Sequence, residues 1–356
     1  MTGRGIDQRL PHPGDPGLHE PSVTSSLDYV ALAERANGPI PNPIDFAYVW
    51  GDALGELDER KPDARIVNLE TAVTRSSTPQ AKQIHYKMAP GNAPVLTAAG
   101  IDCCALANNH VLDWGRPGLL DTLDALGAVG IEAVGAGRTI NEAAAPAALA
   151  LQNGGRALVF ALGSTTSGIP KSWAASDVEP GINLLSDLSL ASVHRIAQQI
   201  DLLKRPRDIV VVSIHWGGNW GYDVSHKEAD FARALIDEAG VDIVYGHSSH
   251  HAKPIEVYRR RVILYGCGDF IDDYEGIAGY EEFRDDLVLM YFVTVGASDG
   301  ALEQLAMVPM QIRNFRLNHA SQEDANWLRD TLNRDERRFG THIRADEDGV
   351  LRAAWD

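Results

Sequence analysis

What this chain of 356 residues has little of narrows the field first. It holds three cysteines, Cys103, Cys104 and Cys267, too few for a disulfide framework. The first two are adjacent in an apolar run, where free thiols are commonly buried. That usage fits a reducing compartment, and the expected location is cytoplasmic. There is no apolar run of the roughly 18 or more residues that a transmembrane helix needs. The opening stretch MTGRGIDQRLPHPGDP is polar and Pro-rich, without the apolar centre of a signal peptide. Internal repeats, low-complexity tracts and an evident interdomain linker are also missing. Basic charge is scarce: 32 Lys and Arg stand against 49 Asp and Glu, a formal charge of −17. Such a surface repels nucleic-acid phosphates and anionic lipid, which excludes a generic nucleic-acid binder. An anionic small molecule or polymer stays open as a substrate, because bound metal reverses the local field.

Hydrophobic residues make up 44% of the chain, enough for a sizeable core. The length suits one large α/β domain or two ordinary ones. Residues 1–44 read as an irregular arm around a short amphipathic helix at 26–37. The main domain is expected over 45–320, and a charged helix and tail over 321–356. Inside the domain, helices are expected at 45–57, 93–99, 118–129, 188–204 and 228–239. Short apolar strands are expected at 64–68, 102–107, 131–134, 208–214 and 242–245. Hairpins are expected at 147–162, across Asn153-Gly154-Gly155, and at 255–265 across Arg259–Arg261. Two further antiparallel strands follow at 287–295 and 302–312. This mix predicts an α/β fold of two mixed sheets flanked by helices, an α/β/β/α sandwich.

Polar residues recur at one kind of place, just after an apolar strand. Glu70 follows RIVNL, and Asn108, Asn109 and His110 follow DCCALA. His215 follows DIVVVSI, and His247 and His250 follow VDIVYG. Ligands of α/β sheets bind beyond the carboxyl ends of strands, so four strand ends converge on one crevice. Carboxylate, amide oxygen and imidazole together are the donor set of a two-metal hydrolytic centre. Each residue also has a plainer reading. Glu70 suits a helix cap, Asn-Asn-His suits a turn, and His215 suits a packed ring. Gly-His-Ser-Ser-His-His is harder to explain as structure alone. His12, His19, His85, His194, His226 and His319 lie in polar or irregular settings and read as surface residues. Gly217, Gly218 and Gly221 around Trp220 would let backbone N–H groups approach an anion. Asp113 either orients His110 or caps the helix that follows.

The segments NLETAVT, ALANNHVLDWG, GLLDTLDALGAVGIEAVGAG, VVSIHWG, ALIDEAGVDIVYGHSSHHAKPIEVY and ILYGCGDF come in this order. As a set they resemble the bacterial CapA (PgsA, PGA_cap) proteins of poly-γ-glutamate capsule synthesis. Those proteins are similar in fold to calcineurin-like metallophosphoesterases. The resemblance implies two divalent ions, Mn, Zn or Fe, held by Glu70, Asn109, His215, His247 and His250. It implies His110 as the acid that protonates the leaving group. It also implies substrate contacts from Arg4, Asn108, Trp216 and Gly217, with Asp113 and Asp269 adjusting the histidines. Three departures stand out. Gly-His-Ser-Ser-His replaces the usual Gly-His-His-Pro-His, and Asp269 stands where Asn is usual. The opening Met1-Thr2-Gly3-Arg4-Gly5 matches only the tail of the usual Gly-Asp-Val-Met-x-Gly-Arg. Coding sequence upstream of Met1 is therefore expected to supply a metal-binding Asp.

Overall fold

The computed structural model describes residues 1–356 except Ser22, Asn153 and Asp356. It is a mixed α/β structure whose strands gather into three larger sheets, where two had been expected. The first sheet is parallel, with β1 (Ile66–Asn68), β2 (Cys103–Ala105) and β3 (Glu132–Val134) side by side. The second is mixed. In chain order its strands are β4 (Ala147–Ala150), β5 (Arg156–Gly163), β6 (Ile209–His215), β7 (Ile243–His247), β8 (Ile255–Tyr258) and β9 (Arg261–Leu264). Across the sheet they run β8-β9-β7-β6-β5-β4, parallel in the middle and antiparallel at both edges. The third is antiparallel and joins β10 (Leu287–Val295) and β11 (Leu302–Arg313) to two late strands, β13 (Thr341–Ala345) and β14 (Leu351–Trp355). A short strand, β12 (Arg316–His319), pairs with the end of β11.

Strand alternation sets the layers. Along a strand, successive side chains point to opposite faces. Leu158, Phe160, Leu162, Val210, Val212 and Ile214 join the core beneath two helices, α4 (Leu190–Leu203) and α5 (His226–Ala239). The alternate residues Ala157, Val159, Ala161, Ile209 and Val211 share a second core with Cys103, Ala105 and Val134 of the parallel sheet. α3 (Gly115–Ala128) adds Leu119 and Leu126 to that core. The two sheets come close together at Gly135, just past β3. A Cβ there would fall 2.7 Å from the Ala161 Cβ and 2.8 Å from that of Ala107, and the φ of +81° also favours glycine.

Several elements differ from expectation. The helix read at 45–57 becomes a short turn, Tyr48–Trp50, then α2 (Ala53–Arg60). Gly51, at φ +45°, breaks the run, and any side chain there would strike the Leu317 carbonyl. Residues 1–44 do include α1 (Ser26–Asn37), but Ile6, Leu10, Val30, Ile40 and Ile44 lie in the core. The terminal helix stops at Leu332 (α6, Gln322–Leu332), and the segment read as a tail supplies β13 and β14. The strands flanking the expected turn at 153–155 pair antiparallel, while Asn153 itself lies outside the described residues. Among the described residues, no helix is long and apolar enough to cross a membrane.

Candidate functional site

β6 and β7 are parallel and in register, so His215 and His247 stand side by side at their carboxyl ends. Their Nδ1 atoms face each other at 2.7 Å. His247 Nε2 lies 2.7 Å from Ser213 Oγ, and His215 Nε2 lies 3.1 Å from Asn109 Oδ1. One arrangement of hydrogens satisfies every contact. Ser213 O–H donates to His247 Nε2, His247 Nδ1–H donates to His215 Nδ1, and His215 Nε2–H donates to Asn109 Oδ1. Burial is the main force holding both rings well below the ordinary imidazole range, so they are neutral and fit such a chain.

The parallel sheet brings the other half. Glu70 lies just past β1 with Oε1 3.8 Å from His215 Nε2, and Asn68 donates to its Oε2 at 2.9 Å. Asn109 and His110 follow β2. The His110 ring stacks on Tyr86 with centroids 3.9 Å apart, and its Nδ1 lies 2.7 Å from Asp113 Oδ2. Among the described residues, none makes a hydrogen bond to its Nε2. Burial, then the Lys82 ammonium, holds His110 well below its ordinary range. The resting ring is therefore neutral, and an acid role requires it first to take up a proton. His250 is the opposite case. Burial works against its charge, but the Asp269 carboxylate 2.9 Å from Nδ1 outweighs it, with Glu70 and Asp272 adding, and pushes it up to about 9.

Asn109 Oδ1, His215 Nε2 and Glu70 Oε1 thus converge from three strand ends. Two oxygens and an imidazole nitrogen are donors that Mn, Fe and Zn accept. These residues fit an ion once the hydrogen chain runs the other way, with His215 Nδ1–H donating to His247 Nδ1 and His247 Nε2–H to Ser213 Oγ, which frees His215 Nε2. His250 backed by Asp269 has the carboxylate–histidine form that orients a ligand. Among the described residues, no three His, Cys, Asp or Glu side chains form a ready shell, and the third donor here is an amide. His247, expected as a ligand, is placed with both nitrogens engaged inside the protein.

The residues expected at the substrate are engaged in contacts within the protein. Asn108 is buried and saturated: its amide donates to Asn68 Oδ1 and Leu69 O and accepts from the N–H groups of His110 and Val111. It ties β1 to the turn carrying His110. Arg4 is enclosed by Asp273 and Glu20. Trp216 packs in the core and donates to the Tyr265 carbonyl. Gly217 donates from its backbone to Thr166 Oγ1 at 3.0 Å. Asp113 orients His110 and caps nothing, since the α3 N-terminus has no side-chain cap. His85, read as a surface residue, is buried with its ring 5.9 Å from that of Trp114.

Residues 1–274 match the family described as bacterial capsule synthesis protein PGA_cap. The chain belongs to that family. It is 46% identical over 353 residues to a probable polyglutamine synthesis accessory protein of Mycobacterium tuberculosis, covering 99% of this chain and 93% of the relative. It is 34% identical over 227 residues to the PGA biosynthesis protein CapA of Bacillus subtilis, covering 63% of this chain and 56% of that one. To the capsule biosynthesis protein CapA of Bacillus anthracis it is 28% identical over 232 residues, covering 65% and 53%. In this PGA_cap chain, four residues at the site escaped the sequence reading: Asn68, Lys82, Tyr86 and Ser213. Ser213 was findable, because it sits two residues before His215 and so points to the same face of β6. Lys82 and Tyr86 lie in a loop without periodicity, and nothing in their spacing links them to His110.

Proposed function

We propose that this protein acts in the synthesis of a poly-γ-glutamate-type capsule polymer, and that its strand-end cluster is a metal-dependent hydrolytic centre. The parallel and mixed sheets then correspond to the two inner layers of a metallophosphatase-like α/β/β/α sandwich. The names of the relatives support the pathway. The observation that carries the chemistry is the meeting of Asn109 Oδ1, His215 Nε2 and Glu70 Oε1 beside a histidine–aspartate pair. Glu70, Asn109, His215 and His250 would hold the divalent metal, His250 in its neutral form with its proton on Nδ1 toward Asp269, and the metal would supply Lewis acidity and an activated water. The remaining work belongs to the chain. Asn68 fixes the Glu70 carboxylate. Asp113 keeps the His110 proton on Nδ1, and His110 takes up and returns a proton at Nε2 as the leaving group departs. A phosphoester, an acyl phosphate or a γ-glutamyl amide is the substrate.

A second reading is a non-catalytic assembly protein that binds the anionic polymer. It is favoured by His247, whose nitrogens are both engaged, and by the word accessory in the name of the Mycobacterium relative. One comparison separates the two. Purified protein is assayed for Mn, Fe and Zn and for turnover of bis(p-nitrophenyl) phosphate, acetyl phosphate and γ-glutamyl-p-nitroanilide. Glu70→Gln should lower metal content, and His110→Ala should keep it while reducing turnover by about 10²-fold or more. Polymer binding that survives both substitutions, with no turnover by the parent protein, would sink the enzyme reading.

A further inference from the structure

Lys82 comes from the irregular loop between Thr74 and Tyr86, yet its ammonium reaches the residues around His110. Nζ donates to the Asn109 carbonyl at 2.6 Å and to Asp113 Oδ1 at 2.7 Å, and lies 3.2 Å from His110 Nδ1. The Trp173 ring closes another side, 5.5 Å away. Asp113 is wholly buried and accepts three times, from Lys82 Nζ, from His110 Nδ1 and from the Tyr86 backbone N–H at 2.7 Å. The loop is pinned to the same place: Gln80 N–H donates to the Asp113 carbonyl, and Trp114 Nε1 donates to the Tyr86 carbonyl. Tyr86 then lays its ring on His110.

We propose that Lys82 is a positioning residue, whose ammonium ties the Asn109 carbonyl to the Asp113 carboxylate and so fixes His110 with its proton on Nδ1 and its Nε2 open. The argument is geometric. Asn109 and His110 are adjacent, and one offers an oxygen to the ion while the other moves a proton. Their separation matters to the reaction, and Lys82 spans both from outside the turn. Asp113 needs the cation as well. Burial pushes this carboxyl up to about 6 even with Lys82 beside it. A protonated Asp113 would become a donor on one oxygen and lose its grip on either Lys82 or His110.

The kinetic part rests on the hydrolase reading, and the spectroscopic part does not. Lys82→Met and Lys82→Arg are made in the full chain with 15N-labelled histidine, and long-range 1H–15N spectra read the tautomer of each ring. A His110→Gln spectrum identifies the His110 signals. The parent protein should show His110 protonated on Nδ1, Lys82→Met should lose that pattern, and Lys82→Arg should recover it. With a turned-over phosphoester, Lys82→Met should lower kcat by about 10²-fold, as misplacement by an ångström does, with KM nearly unchanged. Lys82→Arg should regain most of the loss. If Lys82→Met fails to fold, Lys82→Gln gives the same readings. A His110 signal unchanged in the Met or Gln variant overturns the proposal. A changed signal in a protein without turnover upholds it and counts against the hydrolase reading alone.

Discussion

At the scale of single residues, the chemistry depends on buried polar groups whose charge is decided by neighbours. His215 and His247 stay neutral because burial penalises their charge and no carboxylate touches either ring closely enough to offset it. His250 is charged because a carboxylate is in contact with it. Asp285 shows the opposite stress. Burial, then Asp286 and Asp269, pushes its carboxyl up to about 6. The folded chain therefore holds this proton more tightly than the unfolded chain, whose carboxyl titrates near the ordinary value of about 3.9. Below that value the group is neutral in both states and costs nothing. As pH rises through about 6 the folded state must carry an unfavourable charge, and stability falls. Asp285→Asn should thus stabilise the protein at pH 8, by on the order of 1 kcal/mol once partial exposure is discounted. At pH 4 it should change little. Urea unfolding at the two pH values checks this, and an equal gain at both would contradict it.

At the scale of elements, the strands that position the site were readable, because their apolar runs end abruptly in polar residues. DIVVVSI and VDIVYG became β6 and β7, with the histidines where those runs predict. β13 and β14 were not readable. Their inward residues Thr341, Ile343 and Leu351 are interrupted by charged ones, and the strands form by pairing with each other and, through β14, with β11. The contacts of His110 were half readable: Asp113 lies three residues away, whereas Lys82 and Tyr86 arrive by tertiary packing. Close packing also explains a glycine inside a strand. A Cβ on Gly246 would lie 2.4 Å from both Trp216 Nε1 and the Tyr265 carbonyl oxygen, two atoms that are themselves bonded at 2.9 Å. Gly246→Ala must part them. It should cost about 1–3 kcal/mol, read from the urea midpoint, and should disturb the neighbouring His247. A variant as stable as the parent would mean that Trp216 moves freely, contrary to its buried position.

At the scale of the whole molecule, a chain of formal charge −17 buries carboxylates such as Glu20, Asp113 and Asp273, and a few cations are placed deep inside beside them. Arg4 is the most enclosed of them. Its guanidinium meets Asp273 on one side and Glu20 on another, and lies over the Tyr29 ring at 3.8 Å and the Tyr86 ring at 4.7 Å. Asp273 also accepts the Gly5 N–H, and Glu20 accepts the Tyr29 hydroxyl. One side chain thus joins the first residues of the chain to a segment some 270 residues later, and Tyr86 carries the contact on to His110. Removing the cation leaves two carboxylates buried without a compensating charge, and breaking a buried pair in this way costs about 3–5 kcal/mol. Arg4→Met should therefore lower the unfolding free energy by that amount in urea titration. Adding Asp273→Asn and Glu20→Gln should recover a large part of it, because no uncompensated charge remains. The triple variant also tests what the arginine does for the site. If stability returns but Tyr86 no longer stacks on His110, turnover should stay low while metal content is normal. If stability returns and turnover returns with it, Arg4 serves the fold alone. A single Arg4→Met variant as stable as the parent would show that Asp273 and Glu20 find water instead, and the buried ion triad would lose its structural meaning.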